Sequence, residues 1–160
     1  MKAMVVYDSQ YGNTGQVAQA IGQALGTGDE VQVKRVTEAK PEHLAGLDLL
    51  IAGSPTQAFT ATSGTKNYLK AIPDGGLQGV KVAAFDTRFT EEAINRNRFL
   101  AFMVRIFGYA AQPIADRLVK KGGELAVPPE AFYVGDTEGP LLEGELERAA
   151  EWAAQVADSL

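Results

Sequence analysis

The chain has no cysteine, one histidine and one tryptophan in 160 residues. The missing cysteine excludes disulfides, thiolate metal sites and cysteine nucleophiles together. His43 lies on a connecting turn apart from every motif described below, so it reads as a surface residue outside any catalysis. No apolar run is long enough to span a bilayer. The N-terminal run Ala3–Tyr7 is too short for a signal peptide, and a cytoplasmic location is the expectation. There is no internal repeat and no low-complexity linker, so one domain over 1–160 is expected. Asp8 and Asp86 stand at strand ends with no third ligand at useful spacing, which points to cap or turn roles rather than a metal.

Charge is uneven. The net charge of −5 argues against nucleic acid as a partner. From Gly135 to the end there are seven acids and one base, Arg148, whereas Arg88 to Lys121 holds seven bases and three acids. The protein is therefore an electrostatic dipole, which either orients a charged partner or amounts to two solvated helix faces.

The hydrophobic pattern alternates strand and helix. Ala3–Tyr7 reads as a strand, and Val17, Ala18, Ile21, Ala24 and Leu25 as the apolar stripe of a helix stopped at Gly26–Asp29. Glu30–Val36 alternates like an edge strand, Pro41–Leu44 suits a helical turn, and Leu47–Gly53 is a buried strand. A helix follows with Tyr68, Leu69 and Ile72 inward, then a strand over Val80–Asp86. A helix over Ala110–Lys121 carries Ile114, Ala115, Leu118 and Val119 on its stripe. Glu124–Val127 and Ala131–Val134 form one strand broken by Pro128 and Pro129, which suits a sheet edge. The last helix spans about Pro140–Ser159, with Leu142, Leu146, Ala149, Ala153, Val156 and Leu160 in line and Trp152 as a packing residue. Five strands with helical crossovers predict an α/β fold: a three-layer, doubly wound, five-stranded parallel sheet, with 2-1-3-4-5 as the natural strand order. Ligand would then bind at the carboxyl ends of strands 1 and 3.

At the end of the first strand stands Ser9-Gln10-Tyr11-Gly12-Asn13-Thr14-Gly15. The first N–H groups of the following helix have no partner inside it, and its dipole adds positive charge there. A phosphate can sit at that point without a lysine. Ser9 and Thr14 offer hydroxyls, and Gly12 permits close backbone approach. Other chemistries on such folds are short of parts. A receiver needs an Asp at the end of strand 3, where Gly53-Ser54-Pro55-Thr56 stands. A nucleotide P-loop needs Gly-Lys-Ser/Thr, a dinucleotide fingerprint needs differently spaced glycines, and a low-molecular-weight tyrosine phosphatase needs cysteine.

Ser-x-x-Gly-x-Thr after the first strand resembles the phosphate loop of flavodoxins, with Tyr11 where the family commonly has Thr. Gly53-Ser54-Pro55-Thr56 resembles their second flavin loop, and Phe85-Asp86-Thr87-Arg88 the third loop of a subgroup. Phe132-Tyr133-Val134, Glu138-Gly139-Pro140-Leu141 and Glu143-Gly144-Glu145 resemble that subgroup's last strand and helix. The resemblance covers essentially the whole chain and implies a flavodoxin-like fold with FMN as cofactor. Ser9, Gln10, Tyr11, Gly12, Asn13, Thr14 and Gly15 would hold the phosphate. Ser54, Pro55, Thr56 and Gln57 would line the ribityl chain and ring, and Asp86, Thr87, Arg88 and Phe89 would close the other side. Phe59 and Phe89 are the aromatic residues available for stacking, since neither loop carries the usual Trp or Tyr. Arg88 beside the ring would make the hydroquinone potential less negative.

The implied function is electron transfer between a reductase and an acceptor, with no catalytic residue of the protein's own. The alternative is an FMN-dependent quinone reductase or protoporphyrinogen-type oxidoreductase. Expected partners are redox proteins or a quinone, with the chain a monomer or weak dimer. The segment Thr90–Phe107 exceeds what a loop requires. Phe99, Phe102, Met103 and Ile106, flanked by Arg96, Arg98 and Arg105, fit either an extra helix turned onto the core or an exposed apolar patch with a basic rim. Such a patch, over 96–107, could bind a redox partner, a quinone or an anionic membrane surface.

Overall fold

The structure is a computed structural model that describes residues 1–28 and 30–160. Its strands and helices run β1 (Ala3–Tyr7), α1 (Asn13–Leu25), β2 (Val31–Arg35), a 3-10 turn (Pro41–Leu44), β3 (Leu49–Pro55), α2 (Ser63–Ala71) and β4 (Lys81–Phe89). There follow α3 (Glu91–Asn95), α4 (Arg98–Phe107), α5 (Ala111–Lys120), β5 (Glu124–Leu125), β6 (Glu130–Val134) and α6 (Glu145–Asp158). The sheet is parallel throughout, in the order β2-β1-β3-β4-β5, with β6 also on β4. The strands β5 and β6 share the outer edge of β4: β5 pairs with Lys81 and Val82, β6 with Phe85–Phe89. They are the one interrupted edge strand expected around Pro128-Pro129, where the missing N–H groups break the ladder.

The two-residue repeat of the strands divides the core. Val5, Ile51, Ala83 and Phe85 face α1 and α6, and pack against Val17, Ile21, Trp152 and Val156. Val6, Leu50, Ala52, Val82 and Ala84 face α2 and α5, and meet Tyr68, Leu69, Ile114 and Leu118. Trp152 packs edge-on against Phe85 and Phe132, with ring centroids 6.2 and 6.1 Å away. Gly53 lies beneath Phe85; a Cβ there would come within 2.1 Å of that ring. The residues after Gly135 sit mostly on the α1/α6 side, so the acidic tail and the basic α5 lie on opposite faces of the sheet.

Several sequence expectations shift, each for a physical reason. β4 runs three residues past Asp86 because β6 supplies partners as far as Phe89, so Thr87, Arg88 and Phe89 are strand, not loop. The last helix starts at Glu145 rather than Pro140. Residues 140–142 instead fold back on β6: the Gly135 N–H donates to Pro140 O and the Leu142 N–H to Tyr133 O. Leu142, Leu146 and Leu160 are consequently exposed, and the buried stripe is Ala149, Trp152, Ala153 and Val156. Val119 also points outward, one position round from Leu118. In α1 it is Gly22, not Ala24, that is buried, because the helix closes onto Val33 where a Cβ would come within 2.3 Å of that side chain. Of the expected stop Gly26–Asp29, Asp29 lies outside the described residues.

His43 is half-buried in the 3-10 turn, where its Nδ1 accepts a hydrogen bond from Lys40 N–H. The segment 96–107 resolves in favour of exposure: α4 buries no residue. No helix among the described residues is long and apolar enough to cross a membrane.

Candidate functional site

The carboxyl ends of β1, β3 and β4 meet at the order reversal of the sheet, and the segments leaving them enclose a cavity of about 320 Å³. That is near the lower end of the roughly 300–1,000 Å³ typical of cofactor sites. Ser9, Gln10, Tyr11, Asn13 and Thr14 form its first wall; Pro55, Thr56, Gln57 and Ala58 the second; Thr87, Arg88 and Phe89 the third. Val134 and Thr137 complete it.

The first wall is built around Ser9. Its Oγ accepts hydrogen bonds from Gly12 N–H (3.1 Å) and Gly15 N–H (3.3 Å), which curls the loop. Gly12 caps α1 at φ +92°, a conformation glycine adopts without Cβ strain. Asp8 fixes the loop from behind: its Oδ1 accepts from Ser9 N–H and its Oδ2 from Thr62 Oγ1, at 2.9 and 2.6 Å. Among the described residues, the N–H groups of Asn13 and Thr14 have no acceptor. Thr14 is 1% exposed, so water hardly reaches its amide. Buried backbone donors are nearly always paired. Two unpaired ones at a helix start whose first turn carries no acid make an anion site.

The second wall is a tight hairpin. Gln57 and Thr60 exchange both backbone hydrogen bonds, at 2.8 and 3.0 Å, around Ala58 and Phe59. Both central residues have positive φ, +46° and +69°, where Asn or Gly would be usual. Such backbone costs of order 1 kcal/mol per residue and clusters at ligand sites. Ser54 braces this segment from within the sheet. It is fully buried, its Oγ donating to Pro55 O and accepting from Thr62 N–H. The Gln57 side-chain amide donates to Gln10 Oε1 and so joins the first two walls.

The third wall carries a charged pair. Asp86 is fully buried. Arg88 donates to it through Nε (2.7 Å) and Nη2 (2.6 Å), and lies 3.6 Å over the Tyr109 ring. Burial raises the Tyr109 phenol above its ordinary value, partly offset by Arg88. Asp86 Oδ2 also accepts from Thr56 Oγ1 and from Ala111 N–H, at 3.2 and 2.9 Å. Thr87 Oγ1 lies 2.8 Å from Thr14 Oγ1, tying the third wall to the first.

The structure thus brings eleven of the sixteen expected residues to the cavity wall and withholds five. Gly12 and Gly15 shape the loop; Ser54 and Asp86 support the other walls from beneath. Phe59 turns away to stack on Phe107 of α4, with ring centroids 6.1 Å apart. The aromatic groups on the wall are therefore Tyr11 and Phe89. Arg88 reaches the cavity as half of an ion pair, which removes the physical ground for expecting it to raise a flavin potential. The sequence reading overlooked Ala58, Val134, Thr137 and Tyr109. Of these, Val134 ends the family-like stretch Phe132-Tyr133-Val134, and Thr137 precedes Glu138-Gly139, where Asn13 Nδ2 donates to Glu138 O and draws the segment over α1.

The arrangement suits a phosphorylated ligand with a flat body: amide donors at one end, hydroxyls along the middle, and Tyr11 and Phe89 at the wall. No carboxylate among the described residues lines the cavity wall. These features fit FMN, and no metal-binding cluster exists among the described residues.

Comparison with known proteins agrees. The family model described as Flavodoxin matches residues 5–152. A flavodoxin of Aquifex aeolicus is 26% identical over 171 aligned positions, covering 98% of this chain and 89% of the relative. Among solved structures, a flavodoxin from the domain Archaea superposes with TM-score 0.74 at 22% identity, covering 99% of this chain and 97% of that one. Oxidised flavodoxin 1 of Bacillus cereus gives 0.75 at 17% identity, covering 100% and 99%; at these identities the two structures speak for the fold. The chain belongs to the flavodoxin family, whose members bind FMN and transfer electrons.

Proposed function

We propose that this FMN-binding electron-transfer protein is a carrier, reduced by a separate reductase and oxidised by a separate acceptor. Bound FMN supplies reversible electron acceptance. The chain's own residues bind and orient it. The free amides of Asn13 and Thr14 and the hydroxyl of Ser9 hold the phosphate; Thr56 and Thr87 offer oxygens along the chain between phosphate and ring; Phe89 and Tyr11 give the ring apolar contact. The Asp86–Arg88 pair holds the second and third walls at a fixed separation.

The observation that carries the carrier reading is the lining itself: among the described residues no carboxylate or histidine stands on the cavity wall to move a proton for a bound substrate. The site-residue roles rest on the unpaired amides and on the family. The test supplies NADPH and a quinone to the purified holoprotein, first alone and then with a flavoprotein reductase. A carrier is reduced only once the reductase is added. Steady NADPH consumption without it would overturn the reading in favour of a self-sufficient quinone reductase.

A further inference from the structure

The exposed side of α4 differs from the rest of the surface. Eight of its ten residues are apolar and none is buried. Phe99, Phe102 and Ile106 are 66%, 55% and 56% exposed. Helical spacing sets these three on one ridge with Arg98 and Arg105 along its flank, while the half-buried Leu100, Ala101, Met103 and Val104 turn inward. A helix that is apolar nearly all round belongs in a core or in lipid. At about 15 Å it is too short to span a bilayer.

A second feature lies beyond the C-terminal end of α4. Lys66 and Lys70 of α2 and Arg117 of α5 line a cavity of about 370 Å³ between those helices, with Thr60 and Ala61 at one end. Among the described residues, none of these three cations has an ion-pair partner, nor do Arg96, Arg98 and Arg105. Thr60 directly follows Phe59, whose ring stacks on Phe107. The C-terminal end of α4 therefore meets the 57–60 hairpin that also borders the cationic groove, and that groove, between α2 and α5, lies on the side of the sheet away from the acidic α6.

We infer that this face docks on an anionic lipid surface. Interfacial amphipathic helices combine an apolar ridge with flanking Arg or Lys, and cations near an anionic leaflet each add attraction. One layered surface satisfies both features: acyl chains meet Phe99, Phe102 and Ile106, and headgroup phosphates meet the arginines and the groove. A second copy fits less well. Two-fold pairing of the ridges would set Arg98 and Arg105 against their own counterparts, with no acid in α4 to compensate. The dipole across the sheet orients the protein so that the acidic helix faces away. The docking goes beyond the carrier reading and does not depend on it.

The test is co-sedimentation with vesicles of phosphatidylcholine alone or with added phosphatidylglycerol, scored by protein staining so that flavin content is irrelevant. The wild-type protein should partition at least about tenfold more onto the anionic vesicles, and less at high salt. Phe99→Ser, Phe102→Ser and Ile106→Ser combined should abolish that binding. Arg98→Glu with Arg105→Glu should weaken it by about tenfold. Both variants should melt at the wild-type temperature, since neither touches a buried residue. Equal partition onto the two vesicle types, or unchanged binding of the serine variant, overturns the proposal. A wild-type dimer that the serine variant converts to monomer also overturns it and assigns the ridge to a second copy.

Discussion

Helices α4 and α5 are consecutive, ten residues each and three residues apart, and they have opposite fates. The more apolar of the two, α4, buries nothing, whereas α5 buries Ala111, Ile114, Ala115 and Leu118. What separates them is attachment. The N–H groups of Ala110 and Ala111, at the start of α5, donate to Thr56 Oγ1 and Asp86 Oδ2 at the carboxyl ends of β3 and β4. The start of α4 is capped only by its neighbour Asn97, whose Oδ1 accepts from Phe99 and Leu100 N–H. Apolar content creates the demand for burial; backbone donors tied to strand ends decide which helix obtains it.

The largest expected effect comes from removing that attachment. Asp86→Ala leaves the Arg88 guanidinium, Thr56 Oγ1 and Ala111 N–H without their shared acceptor. Losing one partner of a buried ion pair costs about 3–5 kcal/mol, and at roughly 2–4 °C per kcal/mol for a chain of this size the melt should fall by about 10 °C. A melt within a degree or two of wild type would refute the role given to Asp86. Next come matched truncations in the two helices. Leu118→Ala in α5 should cost about 2–5 kcal/mol, while Phe102→Ala in α4 should stay within about 0.5 kcal/mol. Urea midpoints of the two variants measure the contrast directly, and equal losses would dissolve it.

A smaller effect concerns the start of α6, where an ion pair ties the helix to the backbone of β6. Glu145 accepts from Tyr133 N–H at 2.8 Å, and its carboxylate meets Arg148 at 2.8 Å. Arg148 also donates to Ala131 O and lies 4.7 Å from the centre of the Phe132 ring. Burial pushes the Glu145 carboxyl up, but the hydrogen bonds from Arg148 and Tyr133 outweigh it and hold the carboxyl below its ordinary 4.5. Its stabilisation is therefore complete above the unfolded carboxyl's titration and is lost as pH falls through the lower folded value. The stability gap between wild type and Glu145→Gln should be constant near neutrality and narrow on acidification below about pH 4.5. Denaturant midpoints measured across that range test it; a gap independent of pH would contradict it.

Much of this was legible beforehand. Strand order, the split edge strand at Pro128-Pro129 and the loop from Ser9 to Gly15 follow from local periodicity and turn chemistry. The contrast between α4 and α5 was not, because both stripes obey helical spacing and the deciding contacts span 25 and 54 residues of sequence. Phe59 misled for a related reason. Its loop borders the cavity, but the hairpin's positive-φ residues turn the Phe59 ring toward Phe107 and leave Ala58 on the wall. Ser54 and Asp86 sit at the right strand ends, yet strand alternation points them into the sheet's support rather than into the cavity.

The most direct measurement bears on the loop at the start of α1. Apoprotein is titrated with FMN and with riboflavin, which differ by the phosphate, and flavin fluorescence quenching is followed. If the unpaired amides of Asn13 and Thr14 form the phosphate site, FMN should bind at least about a hundredfold more tightly, as a few charge-assisted hydrogen bonds imply. Equal affinity for the two flavins would contradict the account.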